Sequence, residues 1–376
     1  MRIVFIINSL AHAHGVEHTL TDKANYLSGQ GHSVMMLTYE QGQHPLAFPL
    51  EEHIRHIDIN CRFFTLYRYS FVKQYIKTRE MRKLFAKRLL ALIKEFSPDI
   101  LVATTYSYDF IWQIMSVSSL TKIAIESHTA YPVEMVGGSV FRKIKTHGYI
   151  NALKKSDMMI TLTKRDAQCW RKHLKNVISV VNPVSFYYEG LNKQRVLPQK
   201  RIIGVGKMCS QKRFDRLINA FALIAHKYDE WTVDIYGDGE DREKLEALVI
   251  RKGLSERVSL HQPTNDIMSE YLNSEIFVLS SDYEGLPLVL LEAMACGVAP
   301  IATKCPFGPD EVINDGVNGL LADMDVHDLS EKIDWLISHE TERKIIAKNA
   351  YVSAARYRKD VVMKEWEEAY LSIAKS

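Results

Sequence analysis

The chain opens on an unbroken apolar run, Ile3–Ile7, and similar runs return at intervals separated by stretches of helical spacing. A short β-prone run without polar alternation is the pattern of a strand buried on both faces of a parallel sheet. The pattern predicts strands at Arg2–Asn8, Ser33–Tyr39, Pro98–Ala103, Lys122–Ser127 and Met158–Leu162, with helices at Val16–Gly29 and Phe71–Phe96. In the longer helix Met81, Leu84, Phe85, Leu89, Leu92 and Phe96 fall near one face. After Asn182-Pro183-Val184 the polar, irregular segment Ser185–Lys200 reads as a linker. A second cycle follows, with strands at Arg201–Gly206, Trp231–Tyr236, Arg257–Leu260, Ile276–Ser280 and Val298–Thr303. Its helices are Phe214–Lys227, Asp241–Lys252, one starting at Pro287, and others to the end. Strand and helix alternating twice predicts two doubly wound α/β domains with parallel sheets, 1–184 and 185–356.

Composition changes this picture little. A chain of 376 residues suits two cores, and 47% apolar with 25% charged residues is ordinary for a globular protein. The five cysteines are scattered without a C-x-x-C pair, which excludes a disulfide framework or zinc ribbon and fits a reducing cytoplasm. The opening apolar run is too short for a signal peptide, and no stretch reaches the roughly 20 apolar residues that span a bilayer. A net charge of +3 does not by itself imply nucleic acid. Its distribution is more telling. Lys73, Lys77, Arg79, Arg82, Lys83, Lys87, Arg88 and Lys94 crowd one helix, and Arg142, Lys143, Lys145, Lys154 and Lys155 follow. The plain reading is a solvated face; the functional one is contact with an anionic membrane surface, since no nucleic-acid motif accompanies the charge.

Candidate chemistry gathers at Ser281-Asp-Tyr-Glu284-Gly285-Leu286-Pro287-Leu288 and, four residues on, Glu292. The motif runs from a buried strand through a turn into a helix, with Pro287 suited to the first helical position. Glu284 then stays in the loop and Glu292 lies in the first turns of the helix. Ligands of open α/β sheets bind beyond the carboxyl ends of strands. There Glu292 can accept from ribose hydroxyls, the helix N-terminus can take a diphosphate, and Glu284 can hold a sugar. Two solvated acids favoured by the helix dipole are the plainer alternative. Lys207 follows the strand ending at Gly206, and Lys212 sits just before the next helix; most lysines in such places are simply surface residues. His128 ends another strand, where a lone histidine is more often packed than functional. His12, His14 and His18 have a metal-like spacing, but no further ligand completes it, so no metal is expected.

Taken in order, these motifs resemble those of the GT-B-fold retaining glycosyltransferases, most nearly glycosyltransferase family 4 (glycosyl transferases group 1). Gly204-Val-Gly206-Lys207 with Gln211-Lys212, Tyr236-Gly-Asp-Gly239, the Glu284 to Glu292 motif, Gly308-Pro-Asp-Glu-Val-Ile313 and Gly316-Val-Asn-Gly-Leu320 carry the resemblance. It implies two Rossmann-like domains facing a central cleft, the first binding acceptor and the second a nucleotide sugar. It also implies a C-terminal helix, about 357–376, packing back on the first domain. By resemblance, Lys207 and Lys212 neutralise the diphosphate. The family commonly has arginine at the first of these positions; lysine keeps the charge but loses the bidentate fork. Glu284, Gly206, Gly285, Leu286, Pro287, Leu288 and Glu292 contact the donor, and Gly15 supplies the one glycine of the turn after the first strand. His128 lies near the transferred sugar, the Gly308–Glu311 loop near the donor, and Tyr106 and Asp109 near the acceptor. The expected reaction is metal-independent, cofactor-free hexosyl transfer with retention. The donor is a nucleotide-diphosphate sugar, first of all a uridine one. The acceptor is a glycan or lipid-linked sugar in bacterial surface polysaccharide synthesis, handled in the cytoplasm or on the inner face of the plasma membrane. Alternatives are a non-catalytic partner subunit that keeps the fold, or a sugar-nucleotide epimerase of the same fold.

Overall fold

A computed structural model describes residues 1–12, 15–105, 110–128, 131, 140–190 and 199–375. His14, Tyr106, Asp109 and residues 191–198 of the expected linker lie outside these. The chain divides into two compact units, Met1–Val181 with the chain from Met363 onward, and Asn182–Val362.

Unit 1 is built on a parallel sheet of β1 (Arg2–Ile7), β2 (Ser33–Thr38), β3 (Arg55–Asp58), β4 (Ile100–Thr104), β5 (Lys122–Ser127), β6 (Met158–Thr161) and β7 (Val177–Ser179). Its order is β3-β2-β1-β4-β5-β6-β7, so the chain starts centrally, winds outward one way and then the other. β1 is buried along its length from Ile3, because parallel strands here are covered on both faces. Helix α1 (Gly15–Gly29) follows β1, and α2 (Phe71–Phe96) connects β3 to β4. Phe85, Leu89 and Ile93 of α2 join the core with Met35, Leu37, Leu101 and Ile123 from the strands.

Unit 2 repeats the plan with β8 (Arg201–Val205), β9 (Thr232–Tyr236), β10 (Val258–His261), β11 (Ile276–Leu279), β12 (Ala299–Thr303) and β13 (Leu320–Ala322), ordered β10-β9-β8-β11-β12-β13. Helix α3 (Phe214–Ile224) follows β8 and α4 (Leu288–Ala295) follows β11. The expected doubly wound α/β architecture is therefore present twice. The final helix, α5 (Lys359–Ala374), packs on unit 1 from Met363, burying Trp366 and Tyr370.

Three strands escaped the sequence pattern, β3, β7 and β13, each three or four residues long. All three are edge strands, and β3 (Arg-His-Ile-Asp) is partly exposed, so it carries no apolar run. Pro287 also differs from expectation. It is the residue before the helix, with φ −76° and ψ 90°, and the first helical residue is Leu288. An extended ψ at the cap turns the chain into the helix without a side-chain hydrogen bond, so the proline sets the entry angle rather than the first turn.

Candidate functional site

All strands of unit 2 are parallel, so the loops after β8, β9, β11 and β12 leave the same carboxyl edge of its sheet. The first two of these loops interlock. The Gly206 N–H donates to the Tyr236 carbonyl at 3.0 Å, and the Met208 N–H to the Asp238 carbonyl at 2.8 Å. Gly237 has φ +153°, and a Cβ there would lie 1.9 Å from the Gly206 carbonyl oxygen. Only glycine fits that approach, which explains why the Gly206 and Tyr236–Gly239 motifs belong together. Lys207 extends outward from this junction and places Nζ 3.0 Å from the Glu240 carboxylate, with both side chains mostly exposed.

The loop after β11 is laced to the turn before α3. The Asp282 N–H donates to the Gln211 carbonyl at 2.9 Å, Gln211 Nε2 to the Tyr283 carbonyl at 2.9 Å, and Ser280 Oγ to the Lys212 carbonyl at 2.8 Å. These bonds bring Lys212 onto Glu284: Nζ lies 2.7 Å from Oε1, and Ser281 Oγ donates to the same oxygen at 2.6 Å. The pair is nearly shut off from water, at 17% and 8% side-chain exposure. Asp282 is clamped by Arg216 Nη2 at 2.6 Å and Arg213 Nη1 at 3.0 Å. Burial alone would raise the Asp282 carboxyl, but hydrogen bonds from these two guanidinium groups hold it below its ordinary range. Arg216 also donates to the Ser280 carbonyl at 2.5 Å, fixing the start of the turn.

Glu292 is buried in α4, where Oε1 accepts from Ser185 Oγ at 2.8 Å and Oε2 from the Tyr271 hydroxyl at 3.4 Å. Burial raises its carboxyl, with those two hydrogen bonds opposing. Burial, with Glu292's charge adding to it, pushes the Tyr271 hydroxyl well above its usual value, so it remains a donor. Of the other residues expected here, Pro287 is buried, while Gly285, Leu286 and Leu288 are half-buried. Gly308, at φ +98°, packs on this loop so closely that a Cβ would lie 1.9 Å from the Gly285 carbonyl oxygen. Cys305 beside the site is no nucleophile, since burial and the charge of Glu284 push its thiol up to about 12.

In unit 1, His128 directly follows β5, and its side chain is 2% exposed. Its Nε2 lies 2.8 Å from Glu126 Oε2, which also accepts from Lys23 Nζ at 2.7 Å; the Tyr370 hydroxyl donates to the other carboxylate oxygen. Lys23 Nζ further sits 2.9 Å above the ring centroid of Trp366. Burial lowers the His128 pKa, which favours the neutral ring. An ionised Glu126 can only accept, so His128 carries its proton on Nε2. Gly15 begins α1, and a Cβ there would meet nothing within 4 Å, so nothing in the described chain requires glycine at that position. His18 lies 3.8 Å from Asp22 and against the Phe48 ring, and among the described residues no cluster of three His, Cys, Asp or Glu side chains is arranged to hold a metal.

The structure thus joins Lys212 to Glu284 and places Glu292 on the following helix, while Lys207 is engaged by Glu240. The sequence reading missed Ser281, Arg213, Arg216, Tyr271 and Ser185, which hold these groups. Arg213 and Arg216, three residues apart at a helix start opposite Asp282, were the available signal.

Residues 192–353 match the family model of the glycosyl transferases group 1. An uncharacterized glycosyltransferase of Haemophilus influenzae is 28% identical over 369 residues, covering 97% of this chain and 99% of the relative. The amylovoran biosynthesis glycosyltransferase AmsD of Erwinia amylovora is 26% identical over 98% of this chain and 99% of its own. Among solved structures, HepE of Anabaena in complex with UDP-glucose superimposes with a TM-score of 0.75 at 18% identity, over 99% of this chain and all of that one. That family match lies within the second unit, and the chain as a whole has the fold of the GT-B glycosyltransferases.

Proposed function

We propose that the protein is a retaining, metal-independent glycosyltransferase. It would move a hexose-type sugar from a nucleotide-diphosphate donor, first of all a uridine one, onto a glycan or lipid-linked acceptor in bacterial surface polysaccharide synthesis. The observation that carries this reading is the secluded Lys212–Glu284 pair at the carboxyl edge of the second sheet, inside the segment that matches the family model. The polysaccharide role is supported by the relative named for amylovoran biosynthesis, and the uridine donor by the fold neighbour holding UDP-glucose.

The roles follow from chemistry. Glu292 accepts from the ribose hydroxyls by exchanging its bonds to Ser185 and Tyr271. The start of α4 offers its unpaired N–H groups to the diphosphate, and Lys212 neutralises the charge that grows there as the sugar leaves. Lys207 adds to that neutralisation after turning from Glu240. Glu284 holds the sugar hydroxyls, and His128 is the first-unit candidate for positioning the transferred sugar. Retention places acceptor attack on the face the diphosphate leaves, so the departing phosphate oxygen takes the acceptor proton and no separate base is needed. Unit 1 serves the acceptor, with Tyr106 and Asp109 the first candidates.

Thermal stabilisation by a panel of nucleotide sugars tests this. A true donor at about 100 times its dissociation constant adds roughly 2.7 kcal/mol, and Glu292→Ala should remove that gain. A folded protein stabilised by no nucleotide would sink the reading. Gly308→Ala is expected to push the Gly285 turn aside. Calorimetric titration with the donor so found should show affinity at least about tenfold weaker, through loss of roughly 1.4 kcal/mol or more; an unchanged affinity would separate this contact from the site.

A further inference from the structure

Among the described residues, the least covered apolar side chains of unit 1 lie together where the chain leaves β3 and enters α2. Phe71 is 85% and Tyr67 80% exposed, and Phe64, Val72, Tyr75 and Ile76 are all more than half exposed. In α2, Phe71 and Tyr75 continue, at three- and four-residue spacing, the face that buries Phe85, Leu89 and Ile93 further along. The stripe meant for a core therefore runs out past the end of the core. Its base is firmly held. The Phe63 and Phe64 N–H groups donate to Glu40, the Phe63 ring packs 3.9 Å from that of Phe110, and Arg88 donates to the Ile59 carbonyl at 2.7 Å. Such a fixed, exposed apolar patch marks an interaction surface.

Charge identifies the partner. From Arg62 to Lys94 the chain carries ten Lys or Arg side chains against one acid, Glu80, and Lys77 already occupies that acid at 2.8 Å. Arg68, Lys73, Arg79, Lys83 and Lys87 are exposed around and behind the apolar tip. A second copy of this surface would bring like charges together. Nucleic acid would use the charge and the rings but has no use for Val72 and Ile76. An anionic bilayer uses all of it: aromatic and aliphatic side chains enter the interface while lysines and arginines meet lipid phosphates.

We propose that the segment Phe64–Ile76, with the basic face of α2 behind it, docks unit 1 on an anionic membrane surface. All strands of its sheet are parallel, so the chain following β3 leaves at the same edge as His128 after β5 and the Ser9–Ala11 turn after β1. Docking there would set the edge that carries His128 facing the lipid, the position suited to a sugar held on a lipid phosphate.

The test uses the whole chain and phosphatidylcholine vesicles with or without phosphatidylglycerol. The wild type should float with the anionic vesicles and remain behind with the neutral ones. Phe71→Ser with Tyr75→Ser should cut the partition coefficient at least tenfold at every salt concentration. Lys73→Ser with Lys83→Ser should cut it by roughly fivefold per lysine at low salt and much less at high salt. No binding of the wild type to anionic vesicles, or equal binding of the aromatic variant, overturns the proposal. So does self-association that the aromatic variant abolishes without any vesicle binding, which would assign the surface to a second copy. Vesicle flotation needs no turnover, so its failure leaves glycosyl transfer standing, and failed transfer leaves the docking result intact.

Discussion

Replacing Lys212 with methionine is expected to lower sugar transfer by up to about a thousandfold, through kcat more than KM. The estimate starts from two unit charges about 4 Å apart at an effective dielectric near 20, which attract by roughly 4 kcal/mol. At 1.36 kcal/mol per decade that is about three decades of rate, if the attraction appears only as charge develops on the leaving phosphate. Part of it acts before the bond breaks, so the figure is a ceiling. Without substrate, Lys212 spends its charge on Glu284 at 2.7 Å. In the proposed reaction an incoming diphosphate would share or take over that lysine, coupling donor arrival to release of the Glu284 carboxylate for the sugar hydroxyls.

The same pair makes the single variant ambiguous, because losing Lys212 leaves Glu284 enclosed without its cation, a change that commonly costs several kcal/mol. The double variant Lys212→Met with Glu284→Gln separates the effects. It should recover most of the lost stability in denaturant unfolding, since the amide needs no counter-ion, and recover none of the transfer rate. Recovery of transfer together with stability would mean that Lys212 matters only for holding the loop.

Much of this arrangement was legible in the sequence for a physical reason. Parallel strands buried on both faces write themselves as apolar runs, and β1, β4, β5, β8 and β11 were all found that way. Motifs at their carboxyl ends could then be placed at one edge of a sheet. Partners were harder to read. Glu126 is an acid inside a strand with no local cue that Lys23, over a hundred residues earlier, and Tyr370, well over two hundred later, would meet it. Ser185 reaching Glu292 across 107 residues is hidden in the same way. Edge strands such as β3 hide for the opposite reason: with little burial there is no apolar signal. The exposed Phe71 and Tyr75 share the helical spacing of the buried Phe85, Leu89 and Ile93, and only the structure shows that stripe outrunning the core.

Lys23→Met is expected to destabilise unit 1 by about 3–5 kcal/mol, the usual result of removing one partner of a buried ion pair. Lys23, Glu126 and Tyr370 are all fully buried, and the network ties α1, β5 and α5 into one block. Burial pushes Lys23 down to about 8, with the charge of Glu126 resisting. Burial by itself would raise Glu126, but the charge of Lys23 and the hydrogen bonds from His128 and Lys23 outweigh it and hold the carboxyl at about 2. The pair is thus ionised at neutral pH. A carboxyl held below its ordinary 4.5 contributes stability that is complete above that value and is lost as pH falls towards 2. Calorimetry should show the unit 1 transition of the wild type falling across that window. Lysine carries the same sign: with its pKa depressed, stability again rises with pH, here between about 8 and its ordinary 10.5. In Lys23→Met the main force lowering Glu126 is gone, so the acid loss should flatten. Glu126→Gln in that background should restore part of the stability, because an amide still accepts from Tyr370 and His128 without a buried charge. A full acid limb persisting in Lys23→Met would show that the carboxyls responsible lie elsewhere in the chain.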